Sequence, residues 1–130
     1  MFKPTDKSRA KNARYTIQKN TTFEARQTET NRVLTKYPKR IPIYCEAVGA
    51  QSNTLELSKN KYLVPKDLVI GQFLAVVRQR VKLGAEHALF LFLENGSIPA
   101  PHQMLAELYE KNKNADGFLY ISVTTEATFG

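Results

Sequence analysis

Hydrophobic positions recur at helical spacing in one part of this chain and gather into short apolar runs in others. Phe73, Val76, Val77 and Val81 recur at helical spacing, with Arg78, Arg80 and Lys82 on the polar side. That spacing predicts a helix from about Ile70 to Lys82, opened by a turn at Asp67 and ended by Gly84. Arg40–Glu46 is rich in β-branched and aromatic residues and predicts a strand. Pro42 cannot donate to a ladder, so that part of the strand is expected at an edge or a bulge. Gly49 to Asn53 reads as a polar loop. Leu55–Leu57 and Lys61–Val64 follow, the second a short strand closed by Pro65. The unbroken apolar run Ala88–Leu93 predicts a strand buried on both faces. Asn95-Gly96 is a turn signal. Gln103–Lys111 predicts a short helix with Met104, Leu105 and Leu108 inward, and Asp116-Gly117 turns into a last strand, Phe118–Val123.

The N-terminal third is less apolar. Thr21-Thr22-Phe23-Glu24 fits a capping box with Thr21 as N-cap and Glu24 three residues on. The helix it opens is expected to reach about Lys36, because Pro38 disfavours helix at the residue before it. Phe23, Val33, Leu34 and Tyr37 give a thin stripe, suited to a helix lying on a domain rather than inside it. Residues 1–20 contain few large apolar groups, among them Phe2, Tyr15 and Ile17. They read as a mobile arm with a short helix near Ala13–Gln18. The order helix, β, β, helix, β, helix, β is a compact α+β pattern. The expected organisation is an arm over 1–20, a domain over 21–123 and an exposed tail over 124–130.

Composition narrows the function. At 130 residues the chain fits one domain, and 42% hydrophobic with 24% charged residues is an ordinary globular mixture. No run approaches the length of a membrane span. Met1-Phe2-Lys3-Pro4 lacks the apolar core of a signal peptide, which points to the cytosol or nucleus. The formal net charge is +7, and residues 1–20 hold six lysines and arginines against one aspartate. Such an arm suits nucleic acid, an acidic protein surface, anionic lipid or plain solubility.

Catalytic chemistry is hard to find. His87 and His102 have no Cys or carboxylate at metal-ligand spacing, so no metal or cofactor is expected. Cys45, the single cysteine, lies in a predicted strand where a packed thiol is the ordinary state; as a nucleophile it would need one of the histidines beside it. No glycine-rich phosphate loop is present. The residues themselves leave two readings open, a peptide-binding module and a nucleic-acid binder. Tyr62, Phe90, Phe92, Phe118 and Tyr120 would serve a base-stacking platform and a core equally.

Seven pieces of sequence, in order, go further: Phe23-Glu24-x-Arg26, Lys36-Tyr37-Pro38-x-Arg40-Ile41-Pro42, Lys61-Tyr62-Leu63-Val64-Pro65-x-Asp67-Leu68, Gly71-Gln72-Phe73 with Arg78-x-Arg80, Ala88–Phe92, Asp116–Tyr120, and Thr128-Phe129-Gly130. Over about residues 20–130 they resemble the autophagy ubiquitin-like modifiers, the family of GABARAP and the microtubule-associated light-chain-three proteins. The resemblance implies a ubiquitin-like β-grasp with two additional N-terminal helices. It implies a substrate and scaffold, not an enzyme. Gly130 is expected to be exposed by a cysteine protease, activated by an E1-like enzyme, passed to an E2-like enzyme and joined to phosphatidylethanolamine. The protein would be cytoplasmic, and on the autophagosome membrane when lipidated. No nucleic-acid partner is expected on this reading.

The resemblance also implies a site for receptors with an aromatic-x-x-aliphatic motif. The aromatic residue would enter a pocket of Glu29, Val33, Pro42, Tyr44, Lys61, Leu63 and Phe118. The aliphatic residue would enter a second pocket of Tyr62, Val64, Pro65, Leu68, Phe73 and Val76. The intervening peptide would add a strand beside Lys61–Val64, with Arg40, Lys59, Lys61 and Arg80 meeting acidic flanks. Tyr44 stands where the family usually has a β-branched residue, which implies a narrower or more polar first pocket. Val69 stands where many members have Thr, so a helix cap is expected to pass to Asp67. The rival from another class is an unconjugated adaptor using the basic arm on cytoskeleton or nucleic acid.

Overall fold

The computed structural model describes residues 15–48, 57–81 and 88–125. Eight elements follow in order: α1 (Thr16–Asn20), α2 (Phe23–Lys36), β1 (Arg40–Ala47), β2 (Lys61–Pro65), α3 (Ile70–Arg78), β3 (Phe90–Leu93), α4 (Leu105–Asn112) and β4 (Leu119–Thr124). The strands form one sheet in the order β2-β1-β4-β3. Central β1 and β4 are parallel, and each outer strand pairs antiparallel to its neighbour. The sheet has the β-grasp arrangement that the resemblance implies.

Period-two alternation divides the sheet into two buried faces. Ile41, Ile43 and Cys45 of β1 and Leu119, Ile121 and Val123 of β4 point into the main core. There they meet Ile70, Phe73 and Val77, which recur along one face of α3, and Leu105, Leu108 and Tyr109 of α4. Tyr44, Phe118 and Tyr120 point the other way, into a second cluster closed by Tyr15 and Ile17. The run Phe90–Leu93 is buried at Leu91, Phe92 and Leu93, as its unbroken hydrophobicity anticipated. It is nevertheless an outer strand among the described residues.

The expected arm ends sooner than residue 20. Thr16–Asn20 is helical, and Tyr15 and Ile17 are buried. The Tyr15 ring lies 4.8 Å from Tyr120 and edge-on to Tyr44 at 6.1 Å. Its hydroxyl shares a 2.8 Å hydrogen bond with Ser122. Glu46 holds the start of α1, accepting from the Thr16 N–H at 2.9 Å and the Thr16 hydroxyl at 2.6 Å. Two apolar residues suffice because the sheet supplies the other half of the cluster. Residues 1–14 and the tail from 126 onward lie outside the described residues.

Three local expectations change. The N-cap of α2 is Thr22, not Thr21: its side chain accepts from the Ala25 N–H at 3.0 Å, and no reciprocal Glu24 bond forms. Thr21 instead donates to the Ile17 carbonyl and accepts from Arg26. Helix α3 ends at Arg78, with residues 79–80 in a turn, so the expected span to Lys82 is too long. Its first turn is served by Gln72, whose Oε1 accepts from the Val69 N–H at 2.9 Å, rather than by Asp67.

One polar knot joins α2 to the start of β4. Asp116 is fully buried. Its Oδ2 accepts from Arg26 Nε at 2.8 Å and the Tyr120 hydroxyl at 2.6 Å, and its Oδ1 from the Phe118 N–H at 2.9 Å. Thr30 donates to the Asp116 carbonyl. Burial, and then the bond to Asp116, push the Tyr120 hydroxyl far above its ordinary pKa, so it stays a donor. Gly117 has φ +99°, and a Cβ there would land on the Thr30 hydroxyl. Gly117→Ala is therefore expected to lower stability by about 1–3 kcal/mol through strain and overlap together. A fall in the urea midpoint with an unchanged slope is the expected result; an unchanged midpoint would contradict the packing described.

Candidate peptide-binding edge

Strand β2 leaves one side open among the described residues. The ladder with β1 is bracketed by Cys45 N–H to the Asn60 carbonyl at 2.8 Å and Lys66 N–H to the Lys39 carbonyl at 3.0 Å. Antiparallel alternation then turns the backbone groups of Tyr62 and Val64 toward β1, and those of Lys61, Leu63 and Pro65 outward. Pro65 has no N–H, so Lys61 and Leu63 carry the donors of this edge. The Leu63 carbonyl is already engaged: Arg40 Nη1 donates to it at 3.1 Å.

A cavity of about 150 Å³ opens beside that edge, a volume known to admit a benzene ring. Glu29 and Val33 on α2 form one wall, Pro42 of β1 and Phe118 the floor, and Lys59, Lys61, Tyr62 and Leu63 the outer rim. The spacing of Glu29 and Val33, four residues apart, puts both on one face of α2. Leu63 lies opposite Pro42 and Lys61 opposite Tyr44 in the register, so their side chains rise on the same face of the sheet. Lys61 Nζ reaches both Glu29 carboxylate oxygens at 3.0 Å across the mouth. The lysine is half exposed, so the pair is weak and exchangeable.

Six of the seven residues expected in the aromatic pocket are thus brought together: Glu29, Val33, Pro42, Lys61, Leu63 and Phe118. Tyr44 is not among them. It is buried under α1 between Tyr15 and Tyr120, and burial with nearby Glu46 raises its hydroxyl pKa to about 12. Its aromatic ring serves the α1 contact, so it does not narrow the pocket.

The second set divides into floor and surface. Tyr62, Val64 and Phe73 are buried in the main core, with the Tyr62 and Phe73 rings edge-on at 5.3 Å. They support the surface rather than line it. Pro65, Leu68 and Val76 stay partly exposed, and Leu68 and Val76 pack on that core. The basic residues expected at the flanks are all exposed. Lys59 Nζ sits 5.3 Å from the Tyr62 ring centre. The Arg80 carbonyl accepts from the Ser58 N–H, which places Arg80 near the Lys59 end of β2. Gly130 lies outside the described residues.

Among the described residues, no three His, Cys, Asp or Glu side chains gather to hold a metal, and no helix is long and apolar enough to cross a membrane. Cys45 is fully buried, and burial, then Glu46, drive its thiol pKa well above the ordinary value. It is expected to resist an aromatic disulfide reagent in buffer and to react fully in denaturant. Rapid reaction of the native protein would restore the case for a nucleophile.

Comparison with known proteins agrees with this geometry. A family model described as "Autophagy protein Atg8 ubiquitin like" matches residues 25–130. Autophagy-related protein 8a of Arabidopsis thaliana is 48% identical over 108 residues, 83% of this chain and 87% of the relative. Autophagy-related protein 8 of Schizosaccharomyces pombe is 46% identical over 108 residues, covering 83% and 88%. The crystal structure of Trypanosoma brucei ATG8 superposes with TM-score 0.80 at 43% identity, over 89% of this chain and 98% of that one. Plasmodium falciparum Atg8, solved with a Plasmodium falciparum Atg3 peptide, gives TM-score 0.77 at 30% identity, covering 86% and 97%. With its ubiquitin-like fold and its N-terminal helices, this chain belongs to the Atg8 family of autophagy ubiquitin-like proteins.

Proposed function

We propose that the protein is conjugated through Gly130 to phosphatidylethanolamine and recruits receptors carrying an aromatic-x-x-aliphatic motif. The observation that carries the receptor half is the outward edge of β2 beside a ring-sized cavity. An incoming strand would pair with Lys61 and Leu63 and set its aromatic residue between α2 and Pro42. Its aliphatic residue would rest on Pro65, Leu68 and Val76. Lys59, Lys61, Arg40 and Arg80 would favour acidic flanks, mostly through association rate and selectivity.

The conjugation half rests on family membership and on glycine's chemistry. A residue without a side chain leaves its carbonyl unhindered for activation and transfer. An E1-like enzyme, an E2-like enzyme and a processing cysteine protease are the partners on this reading. The peptide of Atg3 that accompanies the Plasmodium relative supports an E2-like partner. The protein acts as substrate and scaffold, not enzyme, moving between cytoplasm and autophagosome membrane. Two acyl chains give a stable anchor where one is marginal.

Leu63→Ala or Leu68→Ala is expected to weaken a motif peptide by about 1–2 kcal/mol. Both side chains are partly exposed, so the fold survives. Unchanged affinity by calorimetry would mean that the binding face lies elsewhere. Gly130→Ala is expected to bind the same peptide normally and form little or no lipid adduct with E1-like and E2-like enzymes, ATP and phosphatidylethanolamine liposomes. Conjugation at the wild-type level would remove the proposed route, and an unconjugated wild-type chain would favour the adaptor reading.

A further inference from the structure

Beyond β3 the chain turns back in a tight, exposed loop. Leu93 N–H donates to the Ser97 carbonyl at 2.8 Å, and Gly96 N–H to the Leu93 carbonyl at 2.9 Å. The loop is therefore Glu94-Asn95-Gly96, with glycine at the positive-φ position, φ +91°. Asn95, Gly96 and Ser97 are all exposed, and nothing lies within 4 Å of the place a Gly96 Cβ would take. Asn95 is the one asparagine of the chain that precedes a glycine. Its Oδ1 accepts from the Ser97 N–H at 3.0 Å and from the Ser97 hydroxyl at 2.8 Å.

We propose that Asn95 is a site of spontaneous deamidation, converting with time to aspartate and isoaspartate and loosening the turn that ends β3. Attack of the Gly96 backbone nitrogen on the Asn95 Cγ closes a five-membered ring within one chain, so the reactants are already held together. The N–Cγ bond forms as the Gly96 N–H proton passes to solvent base. The Cγ–Nδ2 bond then breaks, and that nitrogen takes up a proton and leaves as ammonia. One water opens the succinimide at either carbonyl. One opening gives aspartate on the ordinary backbone; the other routes the backbone through Cβ and Cγ as isoaspartate. Glycine at 96 sets no side chain against ring closure. The two Ser97 donors meet Oδ1, the atom on which negative charge grows as the nitrogen adds. The Leu93 carbonyl holds the Gly96 N–H back, so this bond opens first, which an exposed turn does at far lower cost than the whole fold.

Asp116-Gly117 has the same dipeptide logic, and the structure separates the two. The Asp116 carboxylate is buried and held by Arg26, Tyr120 and the Phe118 N–H, while the Gly117 N–H donates to the Asn114 carbonyl at 2.9 Å. An ionised, fully engaged carboxylate is a poor electrophile. At Asn95 the change also has a structural effect. An isoaspartyl link adds one atom to a loop closed by two hydrogen bonds, so both cannot keep their geometry. The new charge falls beside Glu94, whose carboxylate receives Asn114 Nδ2 at 3.1 Å. Asn114 Oδ1 in turn accepts from the Asp116 N–H at 3.0 Å, so the turn after β3 braces the turn before β4.

The experiment ages the full chain in neutral and in mildly alkaline buffer, then digests it with trypsin and weighs the fragments. The fragment spanning residues 83–111 contains no asparagine but Asn95. It is expected to gain the mass difference between an amide and an acid, faster at the higher pH, and to accept a methyl group from an isoaspartyl carboxyl methyltransferase. Asn95→Gln, whose ring would need six members, is expected to stop both. Ser97→Ala is expected to slow the conversion about fivefold, the equivalent of one hydrogen bond. The fragment bearing Asp116 is expected to stay unmethylated. The aged protein, freed of unmodified chain by ion exchange, is expected to unfold at a lower urea concentration than Asn95→Asp, which carries the charge on an ordinary backbone. A fragment that keeps its mass over weeks, or gains it equally in Asn95→Gln, would overturn the site. Methylation at Asp116 would overturn the distinction drawn between the two turns. An unchanged or faster rate in Ser97→Ala would overturn the part given to its hydroxyl, and equal urea midpoints would overturn the loosening.

Discussion

The face beside the open edge of β2 depends on Asp116. A fully buried carboxylate is unfavourable unless its charge and lone pairs are met. Here they are met by Arg26 from α2, by the Phe118 N–H and by the Tyr120 hydroxyl. The knot does more than neutralise a charge. It fixes α2 against the start of β4 at one point along the helix, and Thr30, one turn further on, fixes it at a second. Glu29 and Val33 lie beside that second contact, so the wall of the ring-sized cavity is placed by a polar anchor rather than by apolar packing. This explains how a helix with so thin a hydrophobic stripe is positioned well enough to form half of a binding site.

The elements most legible in the sequence are those whose physics is local. The helical spacing of Phe73, Val76 and Val77, the β-branched and aromatic content of Arg40–Glu46 and the unbroken run at Phe90–Leu93 each correspond to an element in the structure. The family resemblance names the edge strand and six residues that line one cavity beside it. The failures are long-range. Tyr15 and Ile17 read as too few to make a core because their partners, Tyr44, Phe118 and Tyr120, lie elsewhere in the chain. By its position in the sequence Tyr44 falls in the pocket, yet its side chain packs under α1 against two neighbouring rings. The signal that was present, an aromatic at Tyr15 matching an aromatic at Tyr44, means nothing until the sheet brings them together.

Phe118 links the ring-sized cavity to the α1 cluster. It floors the ring-sized cavity and also belongs to the cluster closed by α1, with its ring 5.9 Å from Tyr120. The segment before α2 is therefore in contact, through one shared side chain, with the site it does not line. In energetic terms, whatever strengthens the seating of α1 also restrains the cavity floor. The restraint is local and passes through packed rings, without any moving part.

The edge of β2 has one more property, which concerns identical neighbours. An outward strand with free donors is a template for its own kind, and proteins that keep one must stop it from pairing with itself. Here the open stretch is only five residues long and closes on a proline that cannot donate. It is bordered by Lys59, Lys61 and Arg40, all exposed. Two such edges meeting would bring cation against cation, while a strand with acidic flanks meets the opposite charge. The same few side chains therefore oppose the pairing of one edge with its copy on a sister molecule and favour a strand of opposite charge, so that the strand stays uncovered without becoming a template for its own kind.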